Sequence, residues 1–382
     1  MKRNYLIKIF VVLSILLAWF IGNRNARVFS TDDLILIEKF GIDSLEYGTD
    51  YAEAYRAGEL VGLISSESAN GYGGPMEVAV LTDSHNRIKY LELMQDRETV
   101  AYISKLSRNK YFDQFIGKNI NDSFLYGGDI NAVSGATLSS VAIAEAVRKS
   151  IHPIAHEMNL EIEPIPVEWQ FGYGEILVAL IFIIGVISII TKQKKIRYLS
   201  LFSSFVVIGF LLNESLSITH FGRILLGFIP DFNLHFAWWL LIAGTLAIII
   251  GMGRNVYCHA LCPFSATQIL LHKISGLNFS LPYSMQKIAR YTPGFLLWLS
   301  IMIILISRNP TLASYEPFAM FFSLNGIGIQ WYILPVSLIG SLFVSNFFCN
   351  LFCPVGAGFR FLINIRRIFI NRKGPIHEET AI

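Results

Sequence analysis

The sequence predicts a chain in two parts, an α+β extracytoplasmic domain and an all-α six-helix transmembrane domain. Three observations carry that expectation. Hydrophobic residues make up 53% of the 382 and charged residues only 15%, which is too apolar for an ordinary soluble protein. The apolar residues are bunched, with one run at Ile9–Gly22 and most others after Gly174, whereas residues 23–170 have soluble composition. Lys and Arg cluster in alternate connecting segments, as cytoplasmic loops of a membrane protein do.

A helix needs roughly 20 apolar residues to cross a bilayer. Six runs qualify: 5–22, 174–191, 198–213, 234–252, 292–307 and 327–347. The first is short unless Lys8 snorkels to the interface. Residues 222–233 are apolar but too few, and read as interfacial or re-entrant. Basic clusters precede run one (Lys2, Arg3, Lys8), separate runs two and three (Lys192, Lys194, Lys195, Arg197), separate runs four and five (Arg254, Lys273, Lys287, Arg290) and follow run six (Arg360, Arg366, Arg367, Arg372, Lys373). The opposite loops hold chiefly Arg223 and Arg308. Both termini are therefore expected in the cytoplasm, with the chain multi-pass in the cell (inner) membrane and surrounded by lipid. No small-x-small site follows run one, so an uncleaved anchor is expected there, not a signal peptide. The expected division is 1–22 anchor, 23–170 extracytoplasmic domain, 171–365 five-helix membrane domain and 366–382 basic tail. The net charge of +3 gives no ground for a nucleic-acid partner, and the four cysteines all lie in the membrane half, which excludes a disulfide-stapled outer domain.

Within the outer domain, residues 76–83 and 87–95 have strand composition with a turn at Ser84-His85-Asn86. Residues 99–116 and 138–157 read as helices, the second clearly amphipathic. Gly71-Tyr72-Gly73-Gly74 precedes the first strand, where glycines permit a tight turn or close approach to a ligand. The second helix is entered by SGATLSS, residues 134–140. Its hydroxyls sit where free N–H groups and the helix dipole suit a phosphate, or where Ser134 or Thr137 caps the helix.

The longer context, GYGGPMEVAV, then RETVAY, then SGATLSS, resembles the FMN-binding domain whose flavin is attached covalently. The resemblance implies that a flavin transferase joins FMN by a phosphodiester to Thr137, the threonine of Ser134-Gly135-Ala136-Thr137. It places Ser139 and Ser140 near the phosphate, and makes Gly73, Glu98 and Thr99 candidates for the flavin surroundings. An acid often stands three residues before this motif in the family. Asn131 stands there here, with Asp129 two residues earlier as a substitute.

The membrane half contains a repeat, CHALCPFSA from Cys258 and CNLFCPVGA from Cys349. Both read C-x-x-x-C-P-x-x-A, 91 residues apart at every matching position, and together they use all four cysteines: Cys258, Cys262, Cys349 and Cys353. Cysteines at i and i+4 share a helical face, and the following proline breaks or kinks the helix. Four thiolates are what a [4Fe–4S] or [2Fe–2S] cluster takes. A redox-active dithiol pair, a structural zinc and inert buried cysteines stay open. A C-terminal ferredoxin run of C-x-x-C-x-x-C is absent.

Two C-x-x-x-C-P motifs plus an outer FMN domain resemble membrane redox proteins of the NosR type, associated with nitrous oxide reductase. In length and layout the chain is also similar to the PceC-type flavoprotein encoded beside reductive dehalogenases. The resemblance implies an electron-transfer component and not a stand-alone enzyme. Electrons would pass from the quinone pool or a cytoplasmic donor, through a cysteine-ligated centre and FMN, to an extracytoplasmic acceptor. A redox sensor or maturation protein with a thiol switch is the alternative. About 30 Å of hydrocarbon would separate a cytoplasmic centre from an outer flavin. Among other residues, His220, His235 and His259 read as structural, Trp238, Trp239, Trp331 and Tyr332 as an interfacial belt, and Glu175, Glu214 and Glu316 as acids at span ends.

Overall fold

A computed structural model describes residues 2–24, 33–48, 51–95, 97–98, 100–160, 172–230, 232–233, 235–279, 282–324 and 328–370. The chain divides into two compact units. One comprises Met1–Gly22, Phe171–Gly222 and Asp231–Ile382, and the other Asn23–Gln170 with Arg223–Pro230.

The first helix, α1 (Lys2–Arg24), belongs mainly to the helical unit. The α+β unit then opens with α2 (Asp33–Phe40) and continues as one antiparallel sheet in the order β1 (Ser44–Tyr47), β2 (Ala52–Arg56), β3 (Glu59–Asn70), β4 (Pro75–Thr82) and β5 (Ile88–Gln95). The last two strands match the sequence expectation; the first three were not foreseen. Their hairpin is nevertheless written locally. Ala57 and Gly58 both take positive φ, 52° and 80°, the geometry of a two-residue turn matched to strand twist. Gly62 is required for a different reason, because a Cβ there would stand 1.6 Å from Thr82 O on β4. The β4–β5 turn forms where expected, with Asp83 Oδ1 accepting the N–H groups of His85 and Arg87 and Asn86 at φ 60°.

The expected helix over 99–116 is shorter. It runs as α3 (Val100–Arg108), breaks at Lys110 in the left-handed region, and resumes as a single 3-10 turn at Tyr111–Gln114. Helix α4 (Thr137–Glu157) lies on β3 and β4 and buries Ile143, Val147, Ile151 and Ile154 to within 1% of full burial. Each such side chain contributes about 1.5–3 kcal/mol, which fixes where the N-terminus of α4, and hence SGATLSS, is held.

The helical unit continues with α5 (Tyr173–Thr191), α6 (Lys194–Ser204, prolonged by a π-helical turn to Leu211) and α7 (Ile218–Leu226). Tyr173–Thr191 and Gln286–Ser307 are long and apolar enough to cross a membrane, while Ile9–Arg24, Phe236–Met252 and Gln330–Phe343 are apolar but shorter. At ~1.5 Å per residue, the 14 residues of Gln330–Phe343 fall short of the ~30 Å core. Among the described residues, six full-length spans do not follow from these helices. The first helix packs on Tyr283–Ser307: Trp298 Nε1 donates to Ser14 Oγ at 3.0 Å, and Gly22 is obligatory because a Cβ would meet Leu305 O at 1.9 Å.

The segment read as interfacial or re-entrant, 222–233, is helical to Leu226, and Arg223–Pro230 clusters with the α+β unit. There Phe228 packs on Gly74 and beneath Arg97, 5.3 Å from the ring centroid, while the buried Arg223 donates Nε to Phe228 O. Trp238, expected at the lipid interface, is 2% exposed and stacks edge-on to Trp239 and beside His220.

Candidate functional site

Two sites are assembled, one in each unit. In the α+β unit the SGATLSS turn is shaped by Gly135 at φ 72° and closed by Ala136 N–H donating to Val133 O. Thr137 is the first residue of α4 and is half-buried. The cap position falls on Ala136, whose side chain makes no hydrogen bond. First-turn N–H groups of a helix lack intrahelical partners and carry the positive end of the dipole.

The two serines play different parts. Ser140 Oγ accepts from Val133 N at 3.1 Å and donates to Ala136 O at 3.0 Å, and Tyr111 Oη donates to Ser140 O at 2.6 Å. Ser140 therefore builds the turn. Ser139 is fully buried, yet its hydroxyl has no hydrogen-bond partner. Leaving such a group unpaired costs about 1–3 kcal/mol, and a phosphate oxygen at the helix end would satisfy it. The donor set fits an FMN phosphate.

Asp129, read as a substitute acid, is hydrogen-bonded within its own turn. Burial raises its pKa, but hydrogen bonds from Ser123, Lys118 and the Leu125 N–H outweigh that and hold the carboxyl below the usual range. It is committed to its own turn. Asn131 is held by its backbone, exchanging hydrogen bonds with the Gln114 amide at 2.9 and 3.1 Å. Glu98 is buried and accepts the Gly73 N–H at 3.1 Å. A Cβ on Gly71 would meet Glu98 Oε1 at 2.1 Å, so Glu98 and the glycines form one packed loop. Thr99 lies outside the described residues.

In the helical unit, Cys258, Cys262, Cys349 and Cys353 line a single cavity with Leu216, Tyr257, Ser265, Phe318, Val355, Gly356 and Arg360. The repeat is carried into three dimensions. Cys262 N–H donates to Tyr257 O and Cys353 N–H to Phe348 O, at 2.8 and 3.0 Å, the wide i to i+5 closure in both motifs. Pro263 and Pro354 then open new helices, Pro263–Ser275 and Pro354–Ile370. The preceding helix ends at each motif, as expected, and each proline begins the next one, as the first helical position tolerates a missing N–H. The repeat also extends three residues upstream to Asn255 and Asn346, an identity the nine-residue motif did not include; Asn255 Oδ1 accepts the Cys258 N–H at 3.0 Å.

Burial pushes the thiols up, to about 12 for Cys258 and about 11 for Cys262, and well above the usual value for Cys349 and Cys353, each further raised by its neighbours. Four mutually repelling sulfurs around one cavity are stable as thiolates only with a polycation among them. Among the described residues no three His, Cys, Asp or Glu side chains gather tightly enough to hold a single metal ion. The wider ring around a cavity fits a multi-iron cluster better than one zinc, and Arg360 on its rim offsets negative charge.

The cavity is lined from both sets of connections. Leu216 and Phe318, from the connections expected outside, line it together with cysteines expected at the cytoplasmic edge. The reason is visible along α6: Arg197 donates to His259 O, Ser200 to Ala260 O and Ser204 to Leu261 O. The motif runs down α6 for about ten residues from Lys194, about 15 Å. Beside it, Glu316 is 2% exposed and accepts the Ile218 N–H at 2.9 Å. His220 accepts the Ser217 N–H at 3.1 Å.

Burial raises the Glu316 carboxyl from 4.5 to about 8. Between those values the folded protein holds a proton that the unfolded chain has lost, so stability falls as pH rises through that window. Glu316→Gln keeps the acceptor for Ile218 and is expected to flatten the pH dependence of Tm in detergent; an unchanged slope would assign it to another group.

Comparison with known proteins agrees with both sites. Residues 71–152 match the FMN-binding domain family, and residues 234–282 and 332–373 match a 4Fe-4S binding domain. The first match contains GYGG, Glu98 and SGATLSS; the second contains all four cysteines. The protein NirI of Paracoccus denitrificans is 26% identical over 43% of this chain and 26% of its own length. The regulatory protein NosR of Stutzerimonas stutzeri is 26% identical over 50% of this chain and 29% of its own. The chain is similar to NosR-type FMN-binding proteins. One component of an ion-translocating oxidoreductase complex from Stutzerimonas stutzeri is 27% identical over 30% of this chain and 55% of its own length. The chain spans between about a quarter and a half of these relatives. What it shares with them is an FMN-binding domain match and a 4Fe-4S binding domain match.

Proposed function

We propose that this protein is a membrane electron conduit, taking electrons from the quinone pool or a cytoplasmic donor and delivering them through FMN to an extracytoplasmic reductase. The observation that carries this reading is the convergence of both cysteine motifs on one cavity in a chain that also bears an FMN-binding domain. When bound, FMN exchanges one or two electrons and so links unlike carriers, while an iron–sulfur cluster exchanges one at a time. The residues supply the rest. Thr137 is the acceptor for the flavin phosphate through a flavin transferase, with Ser139 and the first turn of α4 holding its oxygens. The four cysteines hold the cluster, and the apolar wall of Leu216, Phe318 and Val355 keeps water from it. A cavity about halfway along α6 shortens the ~30 Å gap that a cytoplasmic-face centre would leave. Nitrous oxide reductase and reductive dehalogenase systems are the acceptors suggested by the sequence resemblance.

The test uses membranes containing the full chain. Reduction of the flavin by a menaquinol analogue, and its reoxidation by an added extracytoplasmic acceptor, are expected; a flavin that is never reduced by quinol overturns the conduit. The second reading is a redox regulator, favoured by the name "regulatory protein" borne by the NosR relatives, and such a protein need not turn over. The division into an anchor, an outer domain at 23–170, a membrane domain at 171–365 and a basic tail makes a separate prediction. A reporter fused at residue 160 is expected to be active as an external fusion, and one at 194 as a cytoplasmic fusion. The reverse pattern overturns the topology.

A further inference from the structure

The cavity breaks the symmetry of its own repeat. Tyr257 and Gln268 of the first repeat have Phe348 and Phe359 as counterparts 91 residues on. Gln268 Nε2 donates to Cys349 Sγ at 3.1 Å and to Phe264 O at 3.3 Å, while its Oε1 accepts from Phe348 N at 2.8 Å and from the Ser341 hydroxyl at 3.3 Å. Phe348 N–H can only donate, so the amide oxygen must face it and the NH₂ must face the sulfur. Tyr257 is 1% exposed and lines the cavity. Its oxygen accepts the Leu216 N–H at 2.7 Å, which leaves its own proton to turn toward the sulfurs, Cys262 among them, that line the same cavity. One residue of the first repeat thus serves each cysteine pair, and both counterpart positions are phenylalanines.

We propose that Gln268 and Tyr257 are positioning residues of the cysteine centre, each donating a hydrogen bond to one ligand sulfur and together raising the centre's reduction potential. This rests on the reading that the four cysteines hold an iron–sulfur cluster. The added electron increases negative charge on the sulfurs, so a donor stabilises the reduced form more than the oxidised one. Potential is set by such donors as much as by the ligands, and in this chain one repeat provides both side chains.

The experiment is an EPR-monitored redox titration of the full-length protein, purified without oxygen, as wild type, Tyr257→Phe, Gln268→Met and the double variant. Tyr257→Phe installs the ring the second repeat already uses, and Gln268→Met keeps length and volume. Iron content is expected to be retained, with the midpoint shifted downward in each single variant and further in the double. Unshifted midpoints with iron present overturn the inference. If Gln268→Met loses iron, Gln268→Glu decides: a midpoint that becomes pH-dependent supports the contact, and one that stays pH-independent overturns it. A wild type without iron overturns the cluster reading, and this inference with it.

Discussion

Thr137→Val is expected to abolish covalent flavin. Valine keeps the shape of threonine and removes the only oxygen on which a phosphodiester could be built. Thr137 is half-buried and follows the cap position at Ala136, so the substitution is expected to change stability by about 0.5 kcal/mol or less. The readout is in-gel flavin fluorescence of the denatured protein, co-expressed with a flavin transferase. A fluorescent wild-type band that vanishes in the variant establishes the carrier residue. Fluorescence that persists in Thr137→Val disproves the assignment, and a dark wild-type band leaves non-covalent FMN on the same fold. Ser139→Ala is the informative companion. It removes a buried hydroxyl that lacks a partner, so Tm is not expected to fall, yet flavin loading is expected to drop because a phosphate contact is gone. A drop in Tm with normal loading would make Ser139 structural.

Cys258→Ser or Cys349→Ser is expected to remove the iron, about four atoms per chain for a [4Fe–4S] cluster, to background. Each sits in a different repeat, and each contributes one of the four sulfurs lining the cavity. A cluster needs both repeats at once, whereas a dithiol switch needs only one pair. The two readings therefore separate cleanly. Loss of iron from both single variants identifies a shared centre, and no iron in the wild type favours thiol chemistry. Because the buried thiols are pushed far above neutral pH, assembly must displace four protons, and iron uptake is expected to improve as pH rises.

Several features were legible in the residues alone. The run GYGG–RETVAY–SGATLSS and the doubled C-x-x-x-C-P are contiguous strings, so the local chemistry of both sites could be read directly. Helix α4 was legible because Ile143, Val147, Ile151 and Ile154 recur at helical spacing and are all buried, and period 3.6 leaves that mark. Strands β1 to β3 were missed. Only Ile64 and a few neighbours in β3 are deeply buried, and a stretch such as Ser65–Asn70 has no strong period of its own. It is a strand because β4 pairs with it along its length. Trp238 was misplaced for a related reason: an aromatic at a span end looks interfacial until packing with His220 and Trp239 is known.

The sequence by itself determined the ingredients: a threonine in a Ser-Gly-Ala-Thr run, four thiols in two matched motifs, and long apolar runs. Those follow from residue identity and spacing, which no fold can alter. Tertiary structure decided their use. Backbone pairing showed that Ser140 shapes its turn while the Ser139 hydroxyl stays unpaired, and that Asp129 is spent on its own loop. Packing of Arg197, Ser200 and Ser204 against the first motif drew the cysteines into the helical unit, where residues 91 apart, and outer connections far from either, surround one cavity. Contacts of that kind arise because burying a polar backbone requires partners wherever they lie along the chain, and distance along the chain carries no record of them.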